Sequence, residues 1–272
     1  MTGLPKENTL YEEDCLRLLP DWPNGCFDHC IVDPPFNMSK RNGLGWAYSS
    51  HVTMSEKWDQ FSREDYLKFS RSWIKQVSRI VRPTGNIFIF GTYHNIYDIG
   101  VILEDLGLRV INSIVWFKPN AQPNITCRML TESTEYIIWA CNAQEKKAKN
   151  WVFNYEVAKL LNDGKQMRNV WSIPYASKKE KEFGKHPTQK PAALLARMIL
   201  VATKPGDLIL DCFAGTGTTG VVAQHLGRKW VMVENCAEYI EIAKNRLAAP
   251  LELPPEIAHV YLESIDGRKL RE

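Results

Sequence analysis

Apolar positions along this chain follow two periods in alternation. Short runs rich in β-branched and aromatic residues cover 27–32, 86–90, 109–116, 134–141, 207–212 and 229–234, and helical spacing covers 64–81, 95–106, 191–203, 217–226 and 236–248. In 64–81 the residues Leu67, Trp73, Ile74, Val77 and Val81 fall on one face, and Arg82-Pro83-Thr84-Gly85 stops the helix. Strands alternating with helices predict an α/β fold, doubly wound on a mostly parallel sheet. From Pro250 onward the pattern is weak, and Val260-Tyr261-Leu262 is the segment suited to docking on the body. No repeat or low-complexity tract divides the chain, so 1–272 reads as a single domain.

Two regions break the alternation. Residues 38–59 are glycine-rich, basic and aromatic, with Lys40 and Arg41 near their start. A loop of that length is a functional flap or a linker, and the flap is the expectation. Residues 142–185 mix lysines and arginines, among them Lys165, Arg168, Lys178 and Lys179, with Trp151, Phe153, Tyr155, Trp171, Tyr175 and Phe183. By composition alone they suit nucleic acid and a solvated face with core aromatics equally well.

The chemistry concentrates in two places. The run Cys26–Val32 ends at Asp33-Pro34-Pro35-Phe36. Two prolines in succession cannot continue a ladder, because neither carries an N–H and both fix φ. The Asp33 carboxylate and the Pro34 carbonyl therefore sit on a stiff corner beside a flat ring, a fit for a planar amine such as that of a nucleobase. The bland alternative is a strand-ending turn with a solvated acid.

The second place is Asp207-Leu-Ile-Leu-Asp211-Cys212-Phe213-Ala214-Gly215-Thr216-Gly217, followed by a helical pattern and a strand ending at Glu234. Strand, glycine turn, helix, strand and acid make half of a nucleotide-binding fold, with the acid suited to ribose hydroxyls. Gly215, Gly217 and Gly220 also satisfy G-x-G-x-x-G, so a nicotinamide-dependent oxidoreductase enters as a distant alternative. Phe213-x-Gly215-x-Gly217 instead resembles the F-x-G-x-G turn that binds S-adenosylmethionine (AdoMet) in amino-methyltransferases.

Taken together, Asp33–Phe36 ahead of Phe213–Gly217 resembles a DNA amino-methyltransferase of the β class, whose catalytic motif precedes its AdoMet motif in a circularly permuted order. His186-Pro187-Thr188-Gln189-Lys190-Pro191 resembles the segment that holds the methionine end of the cofactor in that class. The likeness spans roughly 9–248 and is closest to adenine methyltransferases that accompany GATC-cleaving restriction enzymes, through 162–167 and 184–191. Phe36 stands where Tyr is commoner, and Cys212 where Pro is commoner.

The resemblance implies an AdoMet-type fold with an inserted DNA-recognition region at 142–185 and a flap at 38–59 over the target base. It implies catalysis by Asp33, Pro34, Pro35 and Phe36. It implies cofactor contacts from Asp14, Cys15, Asp33, Thr188, Lys190, Asp211, Phe213, Ala214, Gly215, Thr216, Gly217 and Glu234. DNA contacts are expected from Lys40, Arg41, Lys165, Arg168, Lys178 and Lys179. The partner is DNA, double-stranded and also single-stranded, and a homodimer is compatible with the class. The expected reaction is methylation of adenine N6, with cytosine N4 as the alternative. Cytosine C5 methylation needs a cysteine nucleophile, typically presented after proline, and no Pro-Cys pair occurs. No metal is required.

Composition narrows the setting. A net charge of +3 permits a polyanionic partner. No apolar stretch of about 18 residues or signal core occurs, and the 7 cysteines read as small buried hydrophobes of a reducing compartment. These points set the expectation of a cytoplasmic enzyme, bacterial or phage-encoded. Cys26, His29 and Cys30 lack a second ligand pair at zinc spacing.

Overall fold

The computed structural model describes residues 3–39, 57–124, 127–142 and 150–266. Eight strands, β1 (Thr9–Glu12), β2 (His29–Val32), β3 (Asn86–Gly91), β4 (Arg109–Phe117), β5 (Thr134–Cys141), β6 (Val170–Ser172), β7 (Leu208–Asp211) and β8 (Lys229–Glu234), form one sheet. Their order is β1-β8-β7-β2-β3-β5-β4-β6. Only β5 runs against its neighbours, β3 and β4; every other pairing is parallel.

The helices are α1 (Cys15–Leu18), α2 (Arg63–Ile80), α3 (Ile96–Asp105), α4 (Tyr155–Leu160), α5 (Ala192–Ala202), α6 (Thr218–His225), α7 (Ala237–Ala248) and α8 (Pro255–Asp266). They cover both faces of the sheet. Successive strand residues point to opposite faces, so Ile31, Phe88 and Phe90 join the core under α5, α6 and α8. Cys30, Val32, Ile87 and Ile89 join the core under α2 and α3. Both faces of the central strands are buried, which is why they read as continuous apolar runs rather than alternating ones.

Several elements differ from the sequence expectations. The strand expected at 27–32 begins at His29, and Phe27 forms only an isolated bridge to Val81. His29 is fully buried: one ring nitrogen lies 2.9 Å from Asp207 Oδ2 and the other accepts the Asn86 N–H at 3.0 Å. Both nitrogens are taken, so it is a core histidine. The weakly patterned tail is helix α8, seated by Ile257 and Val260 while Leu262 faces outward. Edge strands β1 and β6 and helix α4 were not expected, being only three to six residues long. Among the described residues, no helix is long and apolar enough to cross a membrane.

The chain leaves β2 towards β3 on one side and β7 towards β8 on the other, while β2 and β7 pair with each other. This is a topological switch point. In open parallel sheets a crevice forms there, outside the carboxyl ends of the strands.

Candidate active site

A cavity of about 360 Å³ lies at that switch point. Asp33 enters from the end of β2, Asp211 from the end of β7 and Glu234 from the end of β8, so two motifs far apart in sequence share one crevice. All four residues of the Asp33–Phe36 corner line it. So do Asp14, Cys15, Thr188, Lys190, Phe213, Ala214, Gly215 and Thr216. Trp58, Phe61, Phe90, His186 and Tyr239 complete the wall. Of these, His186 belongs to the 186–191 motif and Trp58 to the 38–59 region, whereas Phe61, Phe90 and Tyr239 carried no sequence signal, because they join the site only through tertiary packing.

The corner is braced from behind. Tyr66 donates its hydroxyl to the Pro35 carbonyl at 3.2 Å and accepts from the Asn95 amide at 2.9 Å, and the Asn95 carbonyl oxygen accepts the Thr92 N–H at 2.8 Å. Tyr66 and Asn95 are both buried. Asp33 Oδ2 accepts from Lys190 Nζ at 2.6 Å, whereas Asp33 Oδ1 is buried without a hydrogen-bond partner. An unpaired buried acceptor is costly and calls for an explanation; here it belongs to a residue that lines the cavity. Burial pushes the Asp33 carboxyl up to about 6, against the pull of Lys190 and with help from Glu135 and Asp59.

The glycine turn is shaped for close approach. Gly215 and Gly217 have φ of 51° and 77°, conformations that suit glycine. A Cβ on Gly217 would meet the Cβ of Ala243 at 2.9 Å, so this glycine serves the packing of α7, between Thr216 and Thr218, which line the cavity. The Thr216 hydroxyl is held between Gln189 and Arg246. Glu234 accepts backbone N–H bonds from Gly215 at 2.7 Å and from Asn235 and Cys236, each at 2.9 Å. This fixes its carboxylate against the turn; burial raises its pKa and those N–H bonds oppose the rise. Burial likewise lifts Asp211 to about 7 despite hydrogen bonds from Thr219 and Phe213. Asp14 caps α1 through the Leu16 N–H at 2.8 Å.

Lys190 reaches the corner as well as the cavity. Its ammonium contacts Asp33 Oδ2, the Thr188 carbonyl at 3.1 Å and Glu135 Oε2 at 3.3 Å. Two of its N–H groups are hydrogen-bonded and the third faces Glu135 as an ion pair, and Lys190 also lines the cavity where the methionine carboxylate contact is expected. Glu135 and Lys118, which continue this chain of charge, were missed by sequence reading because they stand on and beside strands β4 and β5 with nothing local to mark them.

The basic-aromatic region resolves into parts. Lys165, Arg168, Lys178 and Lys179 are exposed. Asn162 closes a turn onto the carbonyls of Lys165 and Gln166, with Asp163 and Gly164 at φ 53° and 74°. Lys179 pairs with Glu252 at 2.6 Å. Trp171, however, is buried with its indole N–H on the Arg168 carbonyl, so it is core and not a stacking surface. Lys40, Arg41 and most of the 38–59 flap, together with 143–149, lie outside the described residues.

Comparisons with known proteins agree with this geometry. Residues 27–245 match the family described as DNA methylase, of N6 and N4 type. The chain is 42% identical over 245 residues to type II methyltransferase M2.DpnII of Streptococcus pneumoniae, covering 89% of this chain and 90% of that one. It is 43% identical, over 89% and 90% of the two chains, to type II methyltransferase M2.LlaDCHI of Lactococcus lactis subsp. cremoris. Among solved structures, the M1.HpyAVI–SAM complex is 30% identical, with a TM-score of 0.66 over 89% of this chain and 99% of that one. The cytosine-N4-specific PvuII DNA methyltransferase, at 20% identity and TM-score 0.70 over 98% and 95%, shares the fold. With an acceptor corner and a glycine turn meeting in one crevice, the chain belongs to the N6/N4 DNA methylase family and is an AdoMet-dependent DNA methyltransferase.

Proposed function

We propose that this protein methylates adenine at N6 in DNA, with Asp33 and the Pro34 carbonyl as the acceptors that hold the amine. The observation that carries the reading is Asp33 Oδ1, a buried acceptor without a partner on a residue that lines the cavity. An exocyclic amine is a poor nucleophile because its lone pair is delocalised into the ring. Two acceptors that draw both N–H bonds out of the ring plane localise that pair. A carboxylate accepts more strongly than a neutral carboxylic acid, so Asp33 serves best ionised. Phe36 offers a ring beside the amine, with Lys190 Nζ 5.1 Å from its centroid.

The cavity residues fit AdoMet. The Phe213–Gly217 turn allows close backbone approach, Glu234 is fixed to receive ribose hydroxyls, and Asp14 stands near the adenine end. Bound there, AdoMet supplies a methyl group on a sulfonium. The protein's part is positioning and water exclusion, which alone can account for a large share of the acceleration. The target base leaves the duplex to reach the crevice, at a cost of a few kcal/mol that a single strand avoids.

Lys165, Arg168, Lys178 and Lys179 support a DNA-facing role for 142–185, and Lys40 and Arg41 one for 38–59. The segments 162–167 and 184–191 support GATC as the site, within a restriction-modification system. A homodimer accords with the class. The test is direct: DNA methylated by the purified protein is digested to nucleosides and separated by mass spectrometry. N6-methyladenine is expected, and a dominant N4-methylcytosine peak would overturn the reading. Tritium uptake on oligonucleotides scrambled only within GATC tests the site separately.

A further inference from the structure

Three buried side chains, Lys118, Glu135 and Lys190, form a line of alternating charge that ends on the partly buried Asp33. Lys190 Nζ lies 2.6 Å from Asp33 Oδ2 and 3.3 Å from Glu135 Oε2, and Glu135 Oε1 lies 3.2 Å from Lys118 Nζ. The side chains of Lys190 and Lys118 are only 5% and 4% exposed. Burying ions is unfavourable even when they are paired, and apolar residues of similar volume commonly serve stability better. A buried run of three charges meeting the acceptor corner at Asp33 therefore points to a task other than stability.

The geometry shows the task. A carboxylate can turn about its last torsion and present either oxygen. Lys190 takes Oδ2, which leaves Oδ1 as the oxygen without a partner, on a residue that lines the cavity. Lys190 in turn has little freedom: its ammonium sits 5.1 Å and 5.3 Å from the ring centroids of Phe36 and Phe90 and bonds the Thr188 carbonyl. Behind it, Glu135 is held by Lys118, whose own ammonium lies over the rings of Trp116 and Tyr175. A lone cation here would also oppose the positive charge that develops on the amine during methyl transfer. Glu135 offsets it.

We propose that Lys190 is a positioning residue that fixes which oxygen of Asp33 receives the target amine, and that Glu135, anchored by Lys118, holds Lys190 in place and offsets its charge. The proposal rests on the reading of Asp33 as the amine acceptor. The groups facing Asp33 are Lys190 ahead of α5, Glu135 on β5, Asp59 in the turn before α2 and Asp211 at the end of β7. Lys190 favours the ionised form, and the three carboxylates oppose it. Removing Lys190 and removing Glu135 should therefore act on Asp33 in opposite senses, which a merely structural role would not produce.

The experiment uses the full chain with Lys190→Met and Glu135→Gln. In 13C-aspartate NMR titrations of the cofactor-free protein, with Asp33 assigned through Asp33→Asn, the Asp33 midpoint should rise in Lys190→Met and fall in Glu135→Gln. The acid limb of the kcat–pH profile should move the same two ways. At pH 7, Lys190→Met should lose about tenfold or more in kcat, partly regained at higher pH. AdoMet affinity by calorimetry should stay within about threefold in both variants. Loss of AdoMet affinity by tens-fold with an unmoved profile would make Lys190 a cofactor ligand and overturn the proposal, as would shifts in one common direction or none. If Lys190→Met does not fold, the near-isosteric Glu135→Gln decides alone: a limb moved to lower pH supports the proposal, and an unmoved limb ends it. Failure here is separable from failure of the parent reading, because an active Asp33→Ala enzyme would remove that reading, whereas an inactive one beside an unmoved Lys190→Met profile would remove only this inference.

Discussion

Asp59 Oδ1 accepts the backbone N–H of Asn37 at 2.6 Å, tying the turn before α2 to the residue that follows the acceptor corner. Asp59 Oδ2 adds the N–H groups of Met38 and Ser39, each at 2.9 Å, and the Asn37 side chain accepts the Phe61 N–H at 2.9 Å. Asn37 is held at φ 57°, an uncommon conformation off glycine. Asp59→Ala should cost roughly 2–3 kcal/mol of stability, the scale of hydrogen bonds to a buried charged acceptor, and lower kcat through the loosened corner. Urea denaturation and steady-state kinetics check both, and a variant of unchanged stability would deny the clasp.

Asp33→Ala should reduce kcat by at least about a hundredfold, the scale of losing one preorganised polar group. AdoMet affinity, read by calorimetry, should remain within a few-fold. Near-normal turnover would refute the acceptor assignment.

Glu234→Ala should weaken AdoMet binding by about 1–3 kcal/mol. The same substitution strands the N–H groups of Gly215, Asn235 and Cys236, so a fall in Tm should accompany the affinity loss. Calorimetry and thermal unfolding separate the two effects. NAD binding more tightly than AdoMet in the wild-type protein would restore the dehydrogenase alternative.

His186 lies between the rings of Trp58 and Tyr239, at 5.9 Å and 4.4 Å between centroids. Burial, with Lys190 and Lys181 adding to it, lowers its pKa to about 4. Between the ordinary histidine value of about 6.5 and this one, the unfolded chain binds a proton that the folded chain refuses. Stability therefore falls as pH drops through that window. Urea midpoints at pH 7, 5.5 and 4.5 should show a steeper decline for the wild type than for His186→Phe; parallel declines would contradict the assignment.

Lys178→Ala should weaken DNA binding and reduce the salt slope by about one, as for a single phosphate contact. Lys179→Ala should do less, because Lys179 already pairs with Glu252 at 2.6 Å. Filter binding across a salt series measures both. An unchanged slope in the double variant would move DNA contact away from this segment.

The sequence alone determined the elements that bury two faces and the two short motifs whose chemistry is local. Asp33-Pro34-Pro35-Phe36 states a rigid acceptor corner in four residues, because proline constrains its own backbone. Gly215 and Gly217 state a tight turn for the same kind of reason. Short edge elements such as β1 and β6 escaped notice because a periodic signal needs more residues than they have, and the 12-residue α8 because it is seated by only Ile257 and Val260.

The tertiary structure alone decided which strands stand side by side. Pairing β2 with β7 brings Asp33 and Glu234 to one crevice across most of the chain's length. It also brought Lys190 to Asp33, and recruited Glu135 and Lys118 from on and beside strands with no motif of their own. Charge pairing acts through space over a few ångströms. A sequence records which charges exist; only the packing of the sheet sets their separations, and so which of them reach the reacting carboxylate.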